Sequence, residues 1–260
     1  NNHHQTIKKP LLKTKFMELR NEPDVRQELG LAKIVIVSSI IAGIGGIVFF
    51  LASNFGPSTE TFAVGVNRYA VASGAWNSTA TWSATSGGSS GASIPVAGDI
   101  VYIGEGATAR SVTIPAGYTA ACSTVVIGSG SHATANSISL SSATSALSVS
   151  GNLTINRSSG ATINALNIGA GTATVDGSLT LAGTNTTSTR INKIIIGTGS
   201  LSVIGNLVVA IGTTSNNIID MNGASGTLNL GGTFNAQNCG FVKGTGTVVY
   251  NGTVAQTINF

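Results

Sequence analysis

Short runs of alternating apolar and polar residues recur along the second half of the chain as one phrase. Each copy has a small residue, then alternating apolar and variable positions, then a glycine six residues after the start. The copies are SALSVSG from Ser145, GTATVDG from Gly171, GSLSVIG from Gly199, GTLNLGG from Gly226 and GTVVYNG from Gly246, with starts 26, 28, 27 and 20 residues apart. The third position reads Leu147, Ala173, Leu201, Leu228, Val248, and the fifth reads Val149, Val175, Val203, Leu230, Tyr250. Two residues past the glycine come Leu153, Leu179, Leu207, Phe234, Val254, whereas the intervening positions vary, as in Ser148, Thr174, Ser202, Asn229, Val249. A period of two is that of a strand with one face buried. Repetition of the phrase predicts that equivalent strands stack about 4.8 Å apart, so that the apolar positions become inward columns.

Further pieces fill each interval: a second strand such as LTI, LTL or LVV, and a third such as NKIII or NIIDM. Three strands and three bends per repeat make one coil of a parallel β-helix, right-handed like other parallel crossovers. The expected fold is therefore an all-β, right-handed parallel β-helix (β-solenoid). Gly151, Gly177, Gly205, Gly232 and Gly252 mark corners, where either a positive φ or a close backbone approach calls for glycine. The column that follows, Asn152, Ser178, Asn206, Thr233, Thr253, is set to form a hydrogen-bond ladder. The short last interval implies a shorter coil or a shift of register.

Composition fits this picture. The chain has 34 glycines, 5% aromatic and 8% charged residues, far below the roughly 25% charge of ordinary globular domains. Recurrence of Val, Ile and Leu in register separates it from a disordered Gly/Ser/Thr-rich chain. Half of the 22 formal charges fall in residues 1–33. That basic leader precedes 34–52, IVIVSSIIAGIGGIVFFLA, an uncharged stretch long enough as a helix to cross a bilayer. The positive charges before it predict a cytoplasmic N-terminus and an exported remainder, with the segment acting as a signal peptide or a membrane anchor. Met17 is an alternative start, and Thr61-Phe62-Ala63 a tolerable cleavage site. The expected organisation is a leader at 1–33, the transmembrane or signal helix at 34–52, a linker at 53–70 and the solenoid at 71–260, continuing past the last residue. A pilin has a similar layout, but Gly30 is followed by Leu-Ala-Lys-Ile-Val without the glutamate such proteins carry.

From Gly74 the chain reads GAWNSTATWSATSGGSSGASIPVAGDIVYI. This pattern resembles the opening of secreted bacterial solenoid proteins, especially surface and secretion-cargo proteins of the Bacteroidetes, and is similar to the start of the eight-glycine extracellular domain; YNGTVAQTI from Tyr250 resembles a phrase of the same proteins. The resemblance implies a structural role for Trp76, Trp82, Gly98 and Asp99 as an N-terminal cap at 74–103. The residues agree, because an open solenoid end needs bulky apolar cover and Asp99 suits a turn cap. The sharper alternative makes Trp76 and Trp82 a sugar-stacking platform.

Chemistry-bearing constellations are scarce. Of three histidines, His3 and His4 lie in the leader and His132 sits in a polar GSGSHATAN stretch, which argues against metal clusters and Ser-His-Asp sites. Beyond the apolar segment the acids are Glu60, Asp99, Glu105, Asp176 and Asp220, with none aligned as a carboxylate pair in adjacent coils. Asp220 falls in register with Lys193, predicting an exposed cross-coil ion pair. IGSGS, IGAGT and IGTGS recur in step with the coils and precede strands, so they are corners and not phosphate cradles. Cys122 and Cys239 lie too many coils apart for a disulfide and are expected as buried free thiols. The reading is a non-enzymatic surface scaffold or adhesive module, with no cofactor, metal or nucleic-acid partner; the alternatives are a glycan-binding or carbohydrate-active β-helix module using a groove along one sheet face, and a pilin-like filament subunit. It would meet the membrane through 34–52, and surface glycans or other surface proteins beyond it.

Overall fold

The computed structural model describes residues 65–183, 189–210, 216–221, 225–237, 239–253 and 255–259. The leader at 1–33, the apolar segment at 34–52, most of the expected linker and Val254 lie outside the described residues. Among the described residues no helix is long and apolar enough to cross a membrane.

The chain is a parallel β-solenoid. Each coil visits three sheets in turn, as in Leu153–Asn156, Ile163–Gly169 and Thr172–Val175, followed one coil on by Leu179–Ala182, Ile191–Ile196 and Ser200–Val203. The described strands form sheets of nine, seven and six; the six strands of the third are separated by about five turns. The phrase columns stack as the alternation predicts. Leu147, Ala173, Leu201, Leu228 and Val248 pair in sequence, as do Val149, Val175, Val203, Leu230 and Tyr250. Leu153, Leu179, Leu207 and Phe234 form the corresponding column of the first sheet. Most of these side chains are wholly buried, with Val112, Ile138, Leu166, Ile194 and Ile219 facing them from the second sheet. Aliphatic side chains from three faces pack together in the interior, and burying each side chain contributes roughly 1.5–3 kcal/mol.

The solenoid begins earlier than the phrase shows. Strand β1 (Asn67–Ala70) lies within the segment expected to be linker and pairs in parallel with Ile100–Ile103. Ser111–Ile114 and Thr119–Cys122 complete a coil upstream of the first recognisable phrase. At the far end Phe234 pairs with Ile258, whereas Val254, expected in that column, lies outside the described residues. Residues 251–253 and 255–256 form a lip: the Gly252 N–H donates to Gln256 Oε1 at 3.1 Å, while Gln256 Nε2 donates to the carbonyls of Leu230 and Gly232. Thr257, whose carbonyl accepts from Phe234 N–H, therefore takes the place predicted for Thr253.

Close approach explains the corner glycines. None of Gly151, Gly177, Gly205 and Gly232 has a positive φ, but a Cβ on Gly205 would lie 2.5 Å from the carbonyl oxygen of Gly177 below it. The adjoining polar column is a ladder from side chain to backbone. Asn152 Oδ1 accepts from Ser178 N–H at 2.8 Å, and Asn206 Oδ1 accepts from Thr233 N–H at 2.9 Å.

A second ladder is hidden inside. Asn136, Asn164, Asn192 and Asn217 occupy one inward column and are almost fully buried. Their amides satisfy backbone groups where the chain turns from the first sheet into the second: Nδ2 of Asn164, Asn192 and Asn217 donates to the carbonyls of Asn156, Ala182 and Ala210. Asn136 Oδ1 accepts from Arg110 N–H, and Asn164 Oδ1 from Asn136 N–H. Buried corner backbone without such partners would be costly.

Candidate functional site

The first candidate is the cap. Strand β2 (Gly74–Ala75) heads the second sheet, and strand β3 (Trp82–Ser83) runs antiparallel to β1, pairing Ala70 with Trp82 and closing the edge of the first sheet. Trp76 and Trp82 are both 0% exposed, with ring centroids 5.1 Å apart in an edge-to-face arrangement at 70°, and Trp82 Nε1 donates to the Trp76 carbonyl at 2.7 Å. Neither ring presents a face to solvent, so a sugar-stacking platform has no surface here. Asp99, 3% exposed, holds two segments together: Oδ1 accepts from Val66 N–H at 3.0 Å and Oδ2 from Val96 N–H at 3.1 Å. Gly98 precedes it at φ 98°, a conformation that glycine adopts without penalty, and its carbonyl accepts from Ser123 Oγ. Arg68, in register with inward Val101, lies over the end of that column with Nε 3.8 Å from Asp99 Oδ2.

The charged and reactive groups of the body do not converge. Lys193 Nζ lies 2.8 Å from Asp220 Oδ2, but both side chains are only one-quarter exposed. The register also differs from that predicted, since Lys193 pairs with Ile218 and Asp220 with Ile195. The ion pair is thus diagonal, a reach that a lysine side chain makes across neighbouring strands. Cys122 and Cys239 are buried and unpaired. Burial, with the Asp99 charge as the lesser cause, pushes the Cys122 thiol up to about 12; burial pushes Cys239 up to about 11, against a backbone hydrogen bond from Ile219. Both remain protonated near neutral pH and are poor nucleophiles. His132 engages neighbouring residues through its carbonyl, which accepts from Ser158 and Ser159. Among the described residues no three His, Cys, Asp or Glu side chains gather into a metal-binding group.

A shallow cleft of about 180 Å³ lies at the corner between the third and first sheets, lined by residues including Ser202, Ile204, Asn229, Gly231, Asn251 and Thr253. Its cause is visible in the phrase. The residue before the corner glycine is Ser150, Asp176, Ile204, Gly231 and Asn251 in successive copies, so one coil has no side chain there. Gly231 forms the floor, Ile204 and Asn251 the two walls. A Cβ at Gly231 would sit 2.6 Å from the Ile204 carbonyl oxygen, so the gap is enforced by the stack. The far wall is held by Asn251 N–H donating to the Leu230 carbonyl and by the Gln256 amide. Asn229 Nδ2 donates to both Ser200 Oγ and Ser202 Oγ, at 3.1 and 3.2 Å.

No protein-family model, curated protein or solved structure matches this chain. Sequence patterning singles out Trp76, Trp82, Gly98 and Asp99 as structural, and the structure buries both tryptophans and Asp99. It missed the cleft, for which the double glycine of GTLNLGG was the available signal, and the inward asparagines, signalled by the recurrence of Asn before an apolar alternation at 136, 164, 192 and 217.

Proposed function

We propose that the protein is a non-catalytic surface scaffold, an exported right-handed β-solenoid that holds partner-binding elements at a distance from the membrane. The observation that carries this reading is the continuity of the three sheets: the coils from Ile100 to Tyr250 hydrogen-bond to one another along all three faces. Such a stack resists bending and local opening because each coil is held by its neighbours. The basic leader and the apolar stretch at 34–52 support export, with the stretch serving as membrane anchor or signal. Surface glycans or other surface proteins are the partners such a module would meet. The resemblance of 74–103 to secreted solenoid openings supports the same placement.

The test is protease shaving of intact bacteria that express the full chain with an epitope inserted in the exposed loop at Gly87-Gly88. Loss of the epitope from intact cells is expected. An epitope protected until the cells are lysed would overturn the reading.

A further inference from the structure

We infer that the cleft over Gly231 is a subsite for a single uncharged sugar ring. The inference concerns one corner of the solenoid and does not rest on where the protein resides, so its failure would leave the scaffold reading standing.

The cleft combines three properties that a pyranose requires. Its lining carries no charge, which selects against uronates, amino sugars and phosphosugars, whose charges would find no partner there. It offers donors and acceptors in matched form. The Ser202 oxygen accepts from the Asn229 amide and keeps its own hydrogen to donate, while Asn229 keeps its carbonyl oxygen as an acceptor. Asn251 adds a second amide and Thr253 a hydroxyl. A sugar hydroxyl donates and accepts at once, and amides and hydroxyls together satisfy both roles. Finally, Ile204, 57% exposed, provides an apolar wall for the C–H face of a ring. An isoleucine so exposed beside amides has no packing role of its own in the core.

Preorganisation strengthens the case. The floor coil is bonded to the coil below through Gly231 N–H to the Val203 carbonyl, and the lip is fixed to the floor by Gln256. A rigid site costs little ordering on binding. The absence of an aromatic ring from the lining sets the affinity in the millimolar range for a monosaccharide, and a longer glycan would gain by extending along the adjacent Ser/Thr face of the third sheet.

Saturation-transfer NMR on the full chain tests this with a panel of methyl glycosides of glucose, galactose, mannose and N-acetylglucosamine, and with methyl glucuronide as the charged control. At least one neutral glycoside should give saturable transfer at millimolar concentration, with the glucuronide at least ten-fold weaker. Asn251→Ala and Asn229→Ala should each weaken binding about ten-fold, while Thr172→Ala, on the same sheet but away from the cleft, should leave it unchanged. Asn251 is solvent-exposed, so its replacement should leave the circular dichroism spectrum intact. No saturable transfer from any neutral glycoside, or transfer undiminished in both asparagine variants, would overturn the inference.

Discussion

The sealed first coil and the repeating body are stabilised in different ways. In the body each contact is made again one coil later: leucine over leucine, asparagine over asparagine, glycine over glycine. In the cap the contacts occur once. Among the described residues, one antiparallel strand, one tryptophan pair and one carboxylate joining Val66 to Val96 have no equivalent further along. A change in the body is therefore buffered by neighbours of the same kind, while a change in the cap exposes the ends of all the columns behind it.

The largest expected effect falls on the cap. Trp82→Ala removes a fully buried ring and its hydrogen bond to the Trp76 carbonyl, and should cost about 3–5 kcal/mol. Leu179→Ala, in the middle of a column, should cost about 2–5 kcal/mol and fall below the tryptophan. Urea denaturation followed by far-ultraviolet circular dichroism gives both numbers, and a leucine variant less stable than the tryptophan variant would reverse the comparison. Asp99→Ala should follow, at about 1.5–3 kcal/mol for hydrogen bonds to a charged acceptor, seen as a lower urea midpoint at neutral pH.

Alkaline titration joins the two regions, because Asp99 of the cap adds to the shift at Cys122 of the body. Both thiols are raised in the folded chain, so unfolding above the ordinary thiol range releases protons that the native state keeps. Their contribution should be complete below pH 9 and should decline as pH rises from about 9 towards 12; midpoints measured along that range provide the check. A thiol reagent at pH 8 should label neither cysteine until denaturant is added. The smallest effect belongs to Lys193→Ala, which removes a partly exposed ion pair and should shift stability by about 0–1 kcal/mol in the same assay.

Much of the body was legible because alternation and period report the same fact, which side of a strand meets the core. Leu147, Val175, Leu201 and Leu230 could be placed by those two signals alone. The rest depended on information that period does not carry. Asn164 and Asn192 are polar at inward positions because the corner backbone needs their amides, and a rule that sends polar residues outward misplaces them. The spacing points to Val254 where Ile258 pairs with Phe234, because it conceals the lip that Gln256 ties down. The tryptophans show a different limit: residue type identifies a large apolar surface but not which way it faces. At Lys193 and Asp220 the pairing of charges was legible while the register was two residues off, a shift that long side chains bridge. The cleft depends on a missing side chain, which draws attention only when neighbouring copies are read as a column.

Oxidative cross-linking tests the stacking of successive coils most directly. Thr154 and Thr180 are outward neighbours in adjacent coils, at a spacing that suits a disulfide, whereas Val208 lies one coil further on. In the full chain, Thr154→Cys with Thr180→Cys should oxidise to an intramolecular disulfide in the folded state. Thr154→Cys with Val208→Cys, about 9.6 Å apart at two strand spacings, should remain reduced. Failure of the first pair to close, or equal closure of both, would contradict the coil-by-coil register on which the account rests.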